Sequence, residues 1–160
     1  MSQAILLDKT VLSNLALAGQ VDLVFPLWVG RVAATPEVLD ECEMAAWAGL
    51  LPLRAWADLP LVELTSQEVA VSETLSERLG AGERRCLALA HSRGGLLASD
   101  HADARAAARR LGVPVTGTLG VLVLAVRRGL LTLAQANGLL LADVIAAGYR
   151  SPLERLDELV

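Results

Sequence analysis

Leu96 to Gly120, LLASDHADARAAARRLGVPVTGTLG, is the stretch whose reading decides the fold. A short apolar run ends in Ser99-Asp100. An Ala/Arg-rich segment of helical composition follows, then a second apolar run and the turn Gly117-Thr118-Leu119-Gly120. Strand, acidic loop, helix, strand and turn make a βαβ unit. Open parallel sheets place their sites just beyond the carboxyl ends of the strands, where Asp100 would sit. The N-terminus repeats the pattern, because Ala4-Ile5-Leu6-Leu7 is apolar and Asp8 ends it. Two carboxylates placed this way, with suitable acids elsewhere, suggest a metal site.

Outward from this unit, the spacing of apolar residues predicts a helix over 10–18 that buries Val11, Leu12 and Leu15. A short helix over 21–28, bent near Pro26, and a strand over 29–34 follow. Thr35 is the expected cap of a helix over 36–48, with Pro36 at its first position. The pattern further predicts a strand over 61–64, a Ser66-capped helix over 67–79, a break at Gly80-Ala81-Gly82 and a helix opened by Glu83. After strand 96–98 come a helix over 102–111, a strand over 113–115, helices over 118–128 and 132–146, and a last helix from Pro152. Residues 49–60 resist assignment. Alternating strands and helices predict an α/β fold with a mostly parallel sheet, in one domain of 160 residues.

Composition narrows the function. The hydrophobic fraction is 54% but aromatics are only 3%, so the core is aliphatic. The net charge of −4 argues against a large constitutive nucleic-acid surface and leaves room for a local basic patch. Cys42 and Cys86 form no C-x-x-C and match no zinc spacing; they read as reduced and buried in a cytoplasmic protein. The start MSQAILLDKT has no basic, long-apolar signal pattern. The longest uncharged stretch, Leu111 to Val126, is shorter than the ~20 residues of a membrane span, so no membrane partner is expected.

Each candidate acid has a structural explanation beside a chemical one. Asp8 is placed to cap the helix after it, and Thr10 is either a supporting hydroxyl or first-turn filler. Glu41 lies on helix 36–48 at the border of the stripe formed by Val38, Leu39 and Cys42, facing either solvent or a sheet edge. Glu83 stands at a helix start, where the dipole favours it; Gly80 and Gly82 would let that turn pack closely against another element. Asp100 and Asp103 follow a buried strand, as cap and first-turn acid of helix 102–111, with Ser99 and His101 beside them. Jointly, acids at two strand ends and two helix positions would repel one another at one point. A hard divalent cation removes that conflict, and all-oxygen ligation selects Mg²⁺ or Mn²⁺ over zinc. No nucleophile elbow or phosphate-binding glycine loop competes with this reading.

On these residues the chain resembles the PIN-domain family and, within it, the VapC-like toxin ribonucleases. The likeness is to a bacterial PIN-like branch with a Gly-Glu helix start (Gly82-Glu83), an acidic loop followed by Ala-Arg (Ser99-Asp100 through Ala104-Arg105) and a G-T-x-G turn (Gly117 to Gly120). Leu7 to Leu12 looks like the family's first strand with its Asp. Thr35 to Glu41 looks like its P-x-x-V-x-x-E segment, shifted by one at Val38. The likeness covers nearly the whole chain, although residues 43–60 match poorly. It implies a three-layer α/β/α sandwich with a short central sheet. It also implies metal-dependent RNA cleavage and an acidic quartet at Asp8, Glu41, Glu83 and Asp100. His101 stands where the branch often has a second acid, so Asp103 is a candidate to share the fourth position.

The resemblance further implies an antitoxin partner and a homodimer. Arg84, Arg85, Arg105, Arg109 and Arg110 lie near the acids in sequence and are either RNA-phosphate contacts or a solvated helix surface; Arg84, Arg105 and Arg109 are taken as the RNA-binding set. The leading expectation is a Mg²⁺- or Mn²⁺-dependent endoribonuclease, with Thr10 and Ser99 supporting the ligands. A catalytically weak PIN-fold module that binds a protein partner is the alternative. A small-phosphoester enzyme built on Asp8 alone is a third.

Overall fold

The computed structural model describes residues 3–52 and 55–160. Met1 and Ser2, part of the N-terminal reading, and Leu53 and Arg54, within the unassigned 49–60 segment, lie outside the described residues.

Four short strands form one sheet: β1 (Ile5–Leu7), β2 (Val32–Ala33), β3 (Leu96–Ala98) and β4 (Val115–Thr116). All pairings are parallel and the order is β2-β1-β3-β4. Ile5 pairs with both Val32 and Leu96, and Ala98 with Thr116. Every residue of β1 is buried, as the unbroken apolar run requires of a central parallel strand. The chain leaves β1 for β2 on one side and returns to β3 on the other. The strand order therefore reverses between β1 and β3, and that crevice is where open α/β sheets bind ligands.

Helices cover both faces. On one, α5 (Ala81–Arg93) packs on β1 and β3 and against α3 (Pro36–Trp47), α4 (Ser66–Thr74) and α6 (Ala102–Arg110). On the other, α1 (Lys9–Leu17) packs against α7 (Thr118–Arg127), with α2 (Val24–Leu27) and α8 (Leu133–Gly138) also against α7. The result is an α/β/α sandwich with an aliphatic core that includes Leu7, Leu12, Leu15, Leu87 and Leu97. A smaller cluster of Leu122, Leu140, Val144 and Leu156 holds the C-terminal segment. Among the described residues no single helix is long and apolar enough to cross a membrane.

Local chemistry sets the helix ends. Thr35 caps α3 at Val38 N, with Pro36 in the first turn. Gly94 ends α5 at φ 68°, a left-handed conformation that favours glycine. Gly95, just before β3, runs so close to the residue before β1 that a Cβ there would stand 2.9 Å from the Ala4 carbonyl oxygen.

Several boundaries differ from the sequence reading. The strand expected over 29–34 is only Val32–Ala33, because Val29 and Gly30 form an exposed turn. Residues 61–64 are not a strand; a single bridge joins Leu61 to Ala34. Thr65, not Ser66, caps α4, and the helix ends at Thr74 because Leu75 is extended. Pro114 lies outside β4 and only accepts, from Leu97 N at 2.9 Å. The helix expected over 132–146 is α8 continued by a π-helical turn, Leu139–Ile145. No helix follows Pro152; Leu156 is instead tied by its N–H to Asn137 Oδ1 at 2.7 Å.

The α4 cap is also an ion-pair site. Glu68 accepts from Thr65 N at 2.8 Å and takes both arms of Arg93, Nε at 2.7 Å and Nη2 at 2.8 Å. The Arg93 hydrogen bond is the main cause that holds its carboxyl down at about 2. A lowered acid contributes stability that is complete above the ordinary carboxylate range and is lost as pH falls through the lowered value. Arg93 is 41% exposed, so solvent screens the pair to about 1 kcal/mol. Glu68→Gln should therefore melt roughly 3 °C below wild type near neutral pH. Melts repeated down to about pH 2 should show the gap closing.

Candidate metal centre

Asp8 follows β1, and its exit from the strand makes it the N-cap of α1, with Oδ1 accepting from Lys9 N at 2.7 Å. The side chain is 1% exposed. Its other oxygen accepts from Ser99 Oγ at 2.7 Å and Thr10 Oγ1 at 3.2 Å. Ser99 follows β3, so the ends of the two central strands are tied through one carboxylate. Thr10 Oγ1 in turn accepts from Asp100 N at 2.9 Å. Thr10 and Ser99, the hydroxyls expected beside the ligands, both donate to the Asp8 carboxylate.

Asp100 does not cap α6, where His101 is the cap residue and lends no side-chain hydrogen bond. It reaches instead across the turn to α7, whose own cap residue, Gly117, has no side chain to offer. Asp100 Oδ1 accepts from Thr118 N at 2.8 Å, and Oδ2 accepts from the Thr118 hydroxyl and from Asn14 Nδ2 at 2.9 Å. This explains the G-T-x-G turn. A Cβ on Gly117 would lie 2.5 Å from Asp100 Oδ1, and one on Gly120 would lie 2.2 Å from Thr116 Oγ1.

Glu83 and Glu41 meet at the start of α5. Glu83 reaches back to Gly80 N at 2.9 Å, and its other oxygen stands 2.6 Å from His101 Nδ1. Glu41, half-buried on α3, accepts from Gly82 N at 3.3 Å. Gly82 is the contact point of the two helices: a Cβ there would be 2.9 Å from Val38 Cγ2 and 3.1 Å from Glu41 Oε1. The close packing read from the glycines holds for Gly82, while Gly80 has room for a Cβ.

The four acids thus form two linked pairs, Asp8 with Asp100 and Glu41 with Glu83. Burial raises the Asp8 carboxyl above its usual range. Burial also raises that of Glu83, and the negative charge of Asp8 adds to the effect. Asp103 is exposed in the first turn of α6 and has none of the hydrogen bonds that tie Asp100 to the strand ends. Among the described residues, no three Asp, Glu, His or Cys side chains stand close enough to hold an ion in this arrangement.

Of the three arginines expected to face substrate, Arg105 donates to Ser99 O at 2.9 Å and Arg109 shares a cavity with Asp100. Arg84 lines neither of the two cavities beside Asp100. Sequence reasoning missed Asn14, which follows Thr10 by one helical turn, and left the Thr118 hydroxyl without a role. It also missed Tyr149 and Arg150; the signal available was the chain's single tyrosine.

The family model DUF3368, described as a PIN domain, matches residues 4–160. The chain belongs to the PIN-domain family. No curated protein matches it. PIN domains are generally nucleases that act on nucleic acid with divalent metals, and this PIN domain has the corresponding three-layer fold around an all-parallel sheet. Its donors suit such an ion. They are all hard oxygens, and the buried Asp8 carboxylate receives only neutral donors, Lys9 N, Ser99 and Thr10. A buried carboxylate among neutral donors is relieved by a cation or by taking up a proton.

Proposed function

We propose that this PIN domain is a metal-dependent endoribonuclease that hydrolyses RNA phosphodiester bonds, and that it is the toxin of a toxin–antitoxin pair. The observation that carries the catalytic reading is the buried, uncompensated Asp8 tied to Asp100 at the crevice between β1 and β3. Asp8, Glu41, Glu83 and Asp100 are the residues that would hold Mg²⁺ or Mn²⁺, and the fourth position falls to Asp100 in preference to the exposed Asp103. When bound, such an ion supplies polarisation of the phosphodiester and activation of water.

The chain's own residues set the stage. Ser99 and Thr10 orient Asp8, Thr118 and Asn14 orient Asp100, and Gly82 N orients Glu41. His101 Nδ1 beside Glu83 is placed to hold or pass a proton at that carboxylate. Arg105 and Arg109 offer cations to the substrate phosphates.

The test is cleavage of a labelled single-stranded RNA with Mn²⁺, Mg²⁺ or EDTA. Cleavage with either ion and none in EDTA is expected; cleavage unaffected by EDTA would refute the metal role. Thr118→Val removes one hydroxyl donor to Asp100 and should lower the Mn²⁺-dependent rate roughly 10- to 100-fold, as for other residues that orient a metal ligand.

The toxin reading is supported by the VapC-like resemblance, and it carries a cytoplasmic location, a single domain over 1–160, a homodimer and an antitoxin that offers an Arg to the acidic crevice. Growth arrest on expression of wild type but not Asp8→Asn, relieved by a neighbouring small reading frame, tests it. Sedimentation tests the dimer. One observation favours the alternative, a catalytically weak protein-binding module. Trp47, 83% exposed, lines a cavity of about 580 Å³ together with Leu39, Trp56 and Leu59, and Met44 and Leu50 near it in sequence are also exposed. In that case RNA is untouched with every ion.

A further inference from the structure

Two cavities flank Asp100. One, of about 450 Å³, is lined by Asp100, Arg105, Arg109, Gly117, Tyr149 and Arg150, among others. The second, of about 470 Å³, includes Lys9, Thr10, Asn14 and His101. Asp100, Tyr149 and Arg150 line both, so the cavities are two halves of one groove with the C-terminal segment between them. We propose that Tyr149 and Arg150 divide this groove into two nucleotide subsites, one on each side of Asp100, with Tyr149 as the stacking platform for an unpaired base. The proposal rests on the ribonuclease reading and names the residues that would seat its substrate.

Charge supports it first. In a chain of net charge −4, Arg105, Arg109 and Arg150 converge on one cavity. The ion pairs among the described residues use Arg85, Arg93, His101 and Arg155, and leave these three without a carboxylate within 4.0 Å. Three arginines against the single carboxylate of Asp100 leave the cavity lining cationic, which suits a polyanion, and Arg suits phosphate oxygens in particular. Lys9, the only lysine in the chain, supplies a cation to the other half.

Position supports it next. Tyr149 is half-buried, with its hydroxyl 3.5 Å from Asp100 Oδ1. The hydroxyl end of the ring therefore lies beside the carboxylate, at the limit of a hydrogen bond. The hydrophobic contacts of Tyr149 with the cluster of Leu140 and Leu156 hold the segment in place. Each cavity is at the small end of the range for ligand pockets. That size suits single nucleotides, and a base splayed out of a single strand can stack on a tyrosine ring where a paired base cannot.

The experiment is fluorescence anisotropy of a labelled single-stranded RNA of mixed sequence, titrated in EDTA so that no cleavage occurs. Binding is compared for wild type, Arg109→Ala, Arg150→Ala, Tyr149→Phe and Tyr149→Ala, with a blunt duplex of the same sequence as competitor. Both arginines are exposed, so their loss leaves the core intact. The expected result is a roughly 10-fold weaker Kd for Tyr149→Ala, near-wild-type binding for Tyr149→Phe, and a shallower salt dependence for each arginine variant. The duplex competes poorly. Wild-type binding by Tyr149→Ala and both arginine variants, or equal competition by the duplex, would overturn the subsites. Because metal is absent, a protein that never cleaves RNA can still pass, and one that cleaves can still fail, so the two readings are separable.

Discussion

Asp8→Asn is expected to abolish divalent-dependent RNA cleavage and, in the absence of metal, to raise the melting temperature. Losing a residue that merely orients a ligand costs roughly 10- to 100-fold, so losing a central ligand should cost at least about 100-fold. The stability gain follows from the sign of the shift. Burial raises the Asp8 carboxyl, so the folded state binds that proton more tightly than the unfolded chain. The favourable contribution is complete below the ordinary carboxylate range and is lost as pH rises through the raised value. Above it, an ionised Asp8 opposes folding, and the same charge raises Glu83. Asparagine removes that charge and keeps an oxygen to cap α1 at Lys9 N. Metal-free melts should therefore place Asp8→Asn at least about 2 °C above wild type at mildly alkaline pH. The difference should shrink toward about pH 4. A variant that melts below wild type across the range would contradict the buried-charge account.

Gly117→Ala should have the second largest effect. The added methyl would stand 2.5 Å from Asp100 Oδ1 and 2.9 Å from Arg105 Nη1. Asp100 has little freedom to retreat, since Thr118 N at 2.8 Å and Asn14 Nδ2 at 2.9 Å hold its two oxygens. Overpacking of this kind costs about 1–3 kcal/mol, or roughly 3–10 °C in melting temperature. Misplacing a reacting group by about 1 Å costs on the order of 100-fold in rate. Gly138→Ala is the control: a Cβ there meets nothing within 4 Å, and cleavage should be unchanged. Retention of full activity by Gly117→Ala would show that Asp100 need not hold its observed position.

Features carried by contiguous residues were legible in the sequence. Asp8 and Asp100 each end a short apolar run, so the sheet rule alone placed them at a crevice. Gly80 and Gly82 announced a close approach, although only the fold shows that it is Glu41 that approaches Gly82; the G-T-x-G turn read only as a turn, and the fold shows Asp100 against it. What depended on contacts between distant segments was not legible. Asp100 looks like a cap for the helix that follows it, yet it caps α7, because only tertiary packing brings Thr118 within reach. Tyr149 and Arg150 reach the crevice through the C-terminal segment, and the Leu-rich run 139–141 reads as ordinary α-helix where the chain takes a π-helical turn. Short strands blurred the edges, since two or three residues carry little periodic signal.

The most direct measurement is a thermal melt of wild type and Asp8→Asn, side by side, in EDTA, Mg²⁺ and Mn²⁺. A ligand that binds only the folded state raises the melting point, by about 2.7 kcal/mol at 100 times its Kd, or roughly 5–10 °C here. The account predicts that rise for wild type with Mn²⁺ and its absence for Asp8→Asn. No rise in wild type, or an equal rise in both, would mean that the crevice between β1 and β3 holds no metal through Asp8.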